Sequence, residues 1–483
     1  MRTTIAVLNK HGQDSVEAIV EALESPKMEN QRFTIASASQ ILEAKDVAEM
    51  RVKKKASSVV IGCGFSSSLV REKPQIAQFE NAAFAFNGRL YTFRREGLRW
   101  PFLEQRPHLS HTGLLKNLLK ETEGDFSILV AEAGRILAAR DPMGVQPLYY
   151  GENSDFAALA TNRAGLWELG IDKTFSFPPG CLACVDHEGI RFTPEKKLVF
   201  AKARHITMGD AATKLQSLLE QSVRVRVRGL EEVAVAFSGG LDSSVIAFLA
   251  KKCPVQIHLV HVSLRDQTET EEARKAAAEL NLPLSVYLFD PGEVERTLGR
   301  VVELIEDPDP VKAAIGVPFF WIAQKTVEAG FDVLLAGQGA DELFGGYQRY
   351  VNEYLTHGKE KVVETMFADV LRLNESNIER DEKICGFHGL ELRLPFASFK
   401  IAEFAVSLPV ELKIEKRADG LRKLVLRKAA MNMGLPETAV SKPKKALQYA
   451  TGVNAVLGKL AKRQGLTVRA YVERLFVKGK TSK

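Results

Sequence analysis

The chain has 483 residues, enough for two or three domains that each bury a core. Hydrophobic residues make up 45% and charged residues 26%, with 19 prolines and 35 glycines, which excludes a fibrous or largely disordered chain. The formal charge is +6, yet residues 441–483 carry eleven Lys/Arg against Glu473 alone; a general polybasic binder is disfavoured, and only this C-terminal segment is a candidate for phosphate or nucleic-acid contacts.

In chain order, residues 1–8 hold one Arg and a few apolar positions, too short for a secretory apolar region, and no stretch approaches eighteen apolar residues. A soluble, cytoplasmic protein without a membrane partner is expected. Short apolar or period-two runs follow at 3–8, 59–63, 82–86, 126–131, 135–139 and 181–186, the pattern of an antiparallel, sheet-rich half. Cys181 and Cys184 form a C-x-x-C with no second pair and no His cluster, so strand packing is expected rather than a zinc or redox site; five cysteines give no disulfide framework and fit a reducing compartment.

Past a polar stretch at 202–209 the pattern changes to strand, turn and long amphipathic helix: 211–225, then 233–237 before 242–251, 256–262 before 269–280, and 333–336 before the 340s. That alternation predicts a parallel sheet covered by helices, so the fold class is α/β with domains at 1–203 and 204–483.

The sharpest local signal is Ser238-Gly239-Gly240-Leu241-Asp242-Ser243-Ser244, directly after a strand and opening a helix. Glycines let the backbone approach an anion, hydroxyls add donors, and the new helix presents free N–H groups, a combination suited to a polyphosphate. The G-x-x-x-x-G-K-[ST] pattern is absent, which leans away from kinase or GTPase chemistry. A second glycine-rich turn, Gly337-Gln338-Gly339-Ala340-Asp341-Glu342-Leu343-Phe344-Gly345-Gly346-Tyr347, places paired carboxylates after another strand, where Mg²⁺ could be held against phosphates.

The first loop resembles that of the PP-loop ATP pyrophosphatases. The second motif, with Gly389 to Phe396 (GLELRLPF) and Arg422 to Arg427 (RKLVLR), is similar to the signatures of the asparagine synthetase family. The resemblance continues upstream in Asn87-Gly88-Arg89-Leu90-Tyr91, in Gly124-Asp125-Phe126-Ser127, in the run from Ala139 to Tyr150, and in Pro178-Pro179-Gly180. It implies an N-terminal-nucleophile glutaminase fold, a four-layer α/β sandwich, followed by a PP-loop synthetase domain.

The resemblance further implies ATP and Mg²⁺ as cofactors. Ser238, Gly239, Gly240, Asp242, Ser243 and Ser244 would form the pyrophosphate loop, Ala236, Val262 and Gly337 would meet adenosine, and Asp242 and Asp341 would hold the metal. Lys423 would stabilise charge on the transferring group, with Asp341 and Gln338 beside it in the catalytic set, and Lys312, Arg393 and Glu342 would bind the substrate. Two departures stand out: Gln338 replaces the family's Glu and cannot take a proton at neutral pH, and Ala314 stands where the family has Arg, leaving Lys312 nearby for a substrate carboxylate.

The N-terminal half also departs from the pattern. The glutaminase needs a cysteine at position two, whereas this chain begins Met1-Arg2-Thr3-Thr4, and Arg89 replaces the glutamate that would read the glutamine amine. An inactive glutaminase is expected, with ammonia from solution or from a separate glutaminase. The function implied is an amide-forming ligase that adenylates aspartate and yields asparagine, AMP and pyrophosphate; its partners are small molecules, and a homodimer is admitted. Open beside it are another carboxylate, an intramolecular amine as in β-lactam synthetases, a tRNA-modifying PP-loop enzyme, and a non-catalytic regulator that keeps the fold.

Overall fold

A computed structural model describes residues 2–24, 31–53, 55–66, 75–91, 109–200, 203–441 and 447–481. The chain divides into two compact units, residues 1–197 and 198–482.

In the first unit the period-two runs become two antiparallel sheets. One has the order β11-β9-β10-β1-β4-β2-β3, built from β1 (Arg2–Asn9), β2 (Gln31–Ser37), β3 (Gln40–Ala44), β4 (Val59–Ser66), β9 (Tyr149–Glu152), β10 (Phe156–Ala160) and β11 (Phe175–Ser176). The other runs β13-β12-β8-β7-β6-β5, from β5 (Gln75–Phe79), β6 (Ala82–Leu90), β7 (Gly124–Glu132), β8 (Arg135–Arg140), β12 (Cys181–Asp186) and β13 (Gly189–Pro194).

Alternation along each strand assigns its faces. Ile5 and Val7 of β1 pack on α1 (Val16–Glu24), with Met50 of α2 (Val47–Lys53) and Leu166 of α4 (Ala164–Glu168) in the same cluster. Ala6 and Leu8 face Ala83, Ala85, Leu129 and Ala131 of the other sheet. On that sheet's far side Phe84, Phe126 and Val130 meet Leu114, Leu115, Leu118 and Leu119 of α3 (His111–Glu121). The layers therefore run helix, sheet, sheet, helix. Cys181 joins the inter-sheet core while Cys184 packs on the α3 side, because residues three apart on a strand point to opposite faces.

The second unit holds a five-stranded parallel sheet of order β16-β15-β14-β17-β18: β14 (Glu232–Ala236), β15 (Gln256–Leu264), β16 (Leu284–Phe289), β17 (Val333–Leu335) and β18 (Glu391–Arg393). Val233, Ala234 and Val235 of β14 and Leu334 and Leu335 of β17 are fully buried, as strands covered on both faces require. Around the sheet lie α5 (Met208–Val227), α6 (Leu241–Lys251), α7 (Glu269–Glu279), α8 (Pro291–Ile305), α9 (Pro310–Glu328), α10 (Ala340–Phe344), α11 (Gln348–Leu371), α12 (Glu379–Phe387), α13 (Phe399–Val406) and α14 (Leu424–Met433). Asp309 starts α9 by accepting from the backbone N–H of Val311 and Lys312, both at 2.8 Å, with Pro310 preset for the first turn.

From β14 the chain builds outward through β15 and β16, then returns to place β17 on the other side. The carboxyl ends of β14 and β17 thus flank the point where strand order reverses, the position where open α/β sheets bind ligands. Among the described residues no helix is long and apolar enough to cross a membrane.

Candidate active site

Both glycine-rich turns leave the sheet at this switch point. Gly240 caps α6 with no side-chain hydrogen bond, so the first N–H groups of an eleven-residue helix stay available to an anion. The serines fix the loop itself: Ser238 Oγ and Ser243 Oγ lie 3.3 Å apart, Ser238 Oγ accepts from Gly240 N at 3.3 Å, and Ser243 Oγ donates to Gly240 O at 3.2 Å. Gly239 has φ +65°, and a Cβ there would sit 2.9 Å from Ala273 Cα, so only glycine lets the loop lie on α7.

The second turn brings Asp341, the second residue of α10, toward the same point. Lys423 Nζ donates to Asp242 Oδ1 and Oδ2 at 2.7 and 2.6 Å and lies 2.7 Å from Asp341 Oδ1. Lys423 is only 2% exposed. Its backbone is left-handed, φ 60°, between the bridge that pairs Ile414 with Arg422 and the first turn of α14. A non-glycine residue in that conformation is strained, and here the strain turns the lysine inward. Two carboxylates 99 residues apart in the chain, from the turns after β14 and β17, thus converge on one cation.

A cavity of about 790 Å³ opens over this cluster. Ala236, Ser238, Gly240, Asp242, Ser243, Val262, Gly337, Gln338, Asp341, Glu342, Lys312 and Lys423 all line it. The volume falls in the range of small-molecule sites.

Several of these side chains are already engaged. Lys312 Nζ pairs with Asp307 Oδ2 at 2.6 Å. Glu342 is 3% exposed and accepts from Tyr347 OH and, at 2.6 Å, from Asn377 Nδ2; burial first, then the neighbouring Asp341 charge, pushes its carboxyl above the usual range. Gln338 Nε2 donates to Asp381 Oδ2 at 2.8 Å.

Three expected residues do not line the cavity. Arg393 is not on the cavity wall: it is 1% exposed, with Nε on Glu391 Oε1 at 2.8 Å and Nη1 on the carbonyl of Arg226, so it ties β18 to α5. Ser244 is fully buried on the inner side of α6, facing the core instead of the loop's anion side. Gly239 contributes the turn and does not line the cavity.

Residues that sequence reading passed over complete the walls. His261 lies against the first loop, its Nδ1 2.9 Å from Phe237 O. Tyr347, Arg349, Asn377 and Arg380 line the opposite side, and fully buried Asp381 stands behind Gln338. Arg380 and Asp381 are adjacent in sequence, which could have flagged an ion pair; only the path of α12 behind the turn after β17 aims it at Gln338.

In the first unit Arg2 opens β1, its backbone registered with Phe65. Asn87 is 6% exposed; its Oδ1 accepts from Thr4 Oγ1 at 3.0 Å, and its Nδ2 has no partner among the described residues. Cys63, 1% exposed, has its Sγ 3.6 Å from Thr4 Oγ1. A thiol so enclosed does not present a nucleophile to solvent.

Residues 214–363 and 352–478 match the Asparagine synthase family, and residues 70–167 match the Glutamine amidotransferase domain family. The chain belongs to the asparagine synthase family. It is 30% identical to the "putative asparagine synthetase (glutamine-hydrolyzing) 1" of Methanocaldococcus jannaschii, across 72% of this chain and 73% of that one. It is 24% identical to the asparagine synthetase of Gallus gallus, across 79% and 74% of the two chains, and 26% identical to asparagine synthetase 1 of Saccharomyces cerevisiae, across 68% and 64%. This membership makes the chain a carbon–nitrogen ligase of the asparagine synthetase type and gives its parallel-sheet unit the PP-loop class.

Proposed function

We propose that this family member adenylates aspartate at the expense of ATP and transfers ammonia to the acyl-adenylate, giving asparagine, AMP and pyrophosphate. The observation that carries the reading is the convergence of Asp242, Asp341 and Lys423 at the switch point.

The donor set fits Mg²⁺ in company with phosphates. Two carboxylates supply hard oxygen ligands, and no group of three or more His, Cys, Asp or Glu among the described residues forms a closed metal cage. Mg²⁺ keeps waters and binds through one or two carboxylates plus phosphate oxygens. Asp242 and Asp341 would hold the ion, which when bound would neutralise charge on the pyrophosphate leaving group.

The chain's own groups then divide the work. Ala236 and Val262 offer backbone edges to adenine, and the uncapped start of α6 with Ser238 and Ser243 receives the β- and γ-phosphates. The substrate carboxylate attacks the α-phosphorus, the bond to the β-phosphate oxygen breaks, and pyrophosphate departs. Lys423 meets the charge that grows on the α-phosphate, where a buried cation is worth most. Lys312, on the wall near the start of α9, would meet the substrate's second carboxylate by leaving Asp307.

Residues 1–203 would then be a glutaminase-like domain without its nucleophile and 204–483 the synthetase, with ammonia supplied from solution or by a separate glutaminase in the cytoplasm. A carboxylate other than aspartate is the second reading. It draws on Lys312 being committed to Asp307 and on Ala314, fully buried, offering no guanidinium to the cavity. Pyrophosphate release screened across carboxylates separates the two: turnover with aspartate alone supports the first, and turnover only with another carboxylate supports the second.

A further inference from the structure

The second unit ends in two helices, α15 (Val453–Arg463) and α16 (Val468–Thr481), packed on α8 and α9. Their seven Lys/Arg are all exposed, against one acid, Glu473. The apolar positions do the packing: Val453, Leu457, Leu460, Tyr471 and Val472 are buried, and Arg474 Nη2 donates to Gln464 Oε1 at 3.2 Å, tying α16 to the end of α15. Lys459, Lys462, Arg463 and Arg469 have no side-chain partner among the described residues. Of the acids on α8, Glu303 beside Gly479 is paired with Arg300 at 2.7 Å, and Glu295 lies near Tyr471. The surface is therefore strongly positive. The helix dipole favours cations in a last turn, which accounts for Lys462, Arg463, Lys478 and Lys480. Arg469 is the second residue of α16, where the dipole disfavours a cation, and only a bound anion would offset that.

We propose that α15 and α16 form a docking surface for double-helical nucleic acid, holding its phosphate backbone without reading sequence. A duplex carries an extended row of phosphates on its outside, which matches long, flexible cations spread over two neighbouring helices, and α16 alone runs about 21 Å over its 14 residues. Among the described residues Val477 is the one large apolar side chain of these helices left exposed, so no apolar face is free to enter a bilayer. Tyr471 is buried, and Phe476 lies half-buried under Lys480, its ring 5.3 Å from Nζ. No open ring is thus offered to unstacked bases, which disfavours a single strand. None of these cations lines the active-site cavity.

Fluorescence anisotropy of the full chain with a labelled duplex of about 20 base pairs and arbitrary sequence tests this. Affinity should fall about 100-fold between about 50 and 200 mM salt, as counterion release from about four phosphates requires. Arg463→Glu with Arg469→Glu should weaken binding at least about tenfold and flatten the salt dependence by about two contacts. Lys45→Glu with Lys55→Glu, the same charge change on exposed lysines of the first unit, should alter affinity less than about threefold. Unfolding curves check that each variant is folded; should the reversal not fold, Arg463→Gln with Arg469→Gln is expected to weaken binding in the same direction. ATP–pyrophosphate exchange by the wild type tests the ligase reading separately. No binding at low salt, equal loss from both charge reversals, or tighter binding to phosphatidylglycerol vesicles or to a single strand of equal length overturns the proposal.

Discussion

Lys423 reaches Asp341 only because Gly346 has no side chain: a Cβ at Gly346 would lie 1.8 Å from Asp341 Oδ1 and 2.4 Å from Lys423 Cε. The glycine-rich turn is therefore part of the ion-pair cluster as well as of the chain path. Gly346→Ala must push the lysine and the carboxylate apart, at about 1–3 kcal/mol in stability. Pyrophosphate exchange is expected to fall at least about tenfold, with unfolding and exchange measured on the same preparation. An unchanged exchange rate would contradict the placement of this pair.

Removing the cation itself acts more strongly. Lys423→Met should reduce exchange about 10²–10³-fold, the usual effect of deleting one preorganised donor from a buried charge-developing site. The loss should fall on kcat more than on the KM for ATP, because the lysine meets charge that grows during transfer. Steady-state kinetics in ATP settles it.

Lys413 gives a pH prediction for stability. It is 5% exposed, and burial alone lowers its pKa from 10.5 to about 7. The unfolded chain then binds the lysine proton up to pH 10.5 while the folded chain releases it near 7, so this residue's contribution to stability rises with pH across that window. The penalty is complete below pH 7 and absent above 10.5. Lys413→Met is expected to stabilise the protein by about 3 kcal/mol at pH 7. The gain should shrink toward zero as denaturation is repeated at rising pH.

Arg393 is expected to act through stability. With its guanidinium on Glu391 and the Arg226 carbonyl, Arg393→Met should cost about 3 kcal/mol by stranding these groups. The acceptor KM of the folded fraction should stay within about twofold. Denaturation curves paired with kinetics distinguish this from substrate binding, which would raise KM without lowering stability.

The parallel sheet and both glycine-rich turns were legible in the sequence, because buried strands such as 233–237 are continuous apolar runs and glycines mark where the backbone turns. Less legible were β2 and β3, whose polar-punctuated runs acquire strand character by pairing with β4 and with each other. At the site, a motif names residues but not the direction of their side chains. Ser244 belongs to the loop motif yet its helical phase turns it into the core, and Arg393 belongs to another yet its partners lie on α5 and β18. Asp381 lay outside every motif; its proximity to Gln338 is a tertiary fact, 43 residues apart.

The most direct test of the ligase account is product formation by purified protein with Mg-ATP and aspartate, comparing ammonium chloride with glutamine. Asparagine, AMP and pyrophosphate from ammonium but not from glutamine are the expected result. Asparagine from glutamine would contradict the reading of the first unit, in which Arg2 opens β1 and Cys63 is enclosed, and no turnover with either donor would contradict aspartate as the substrate.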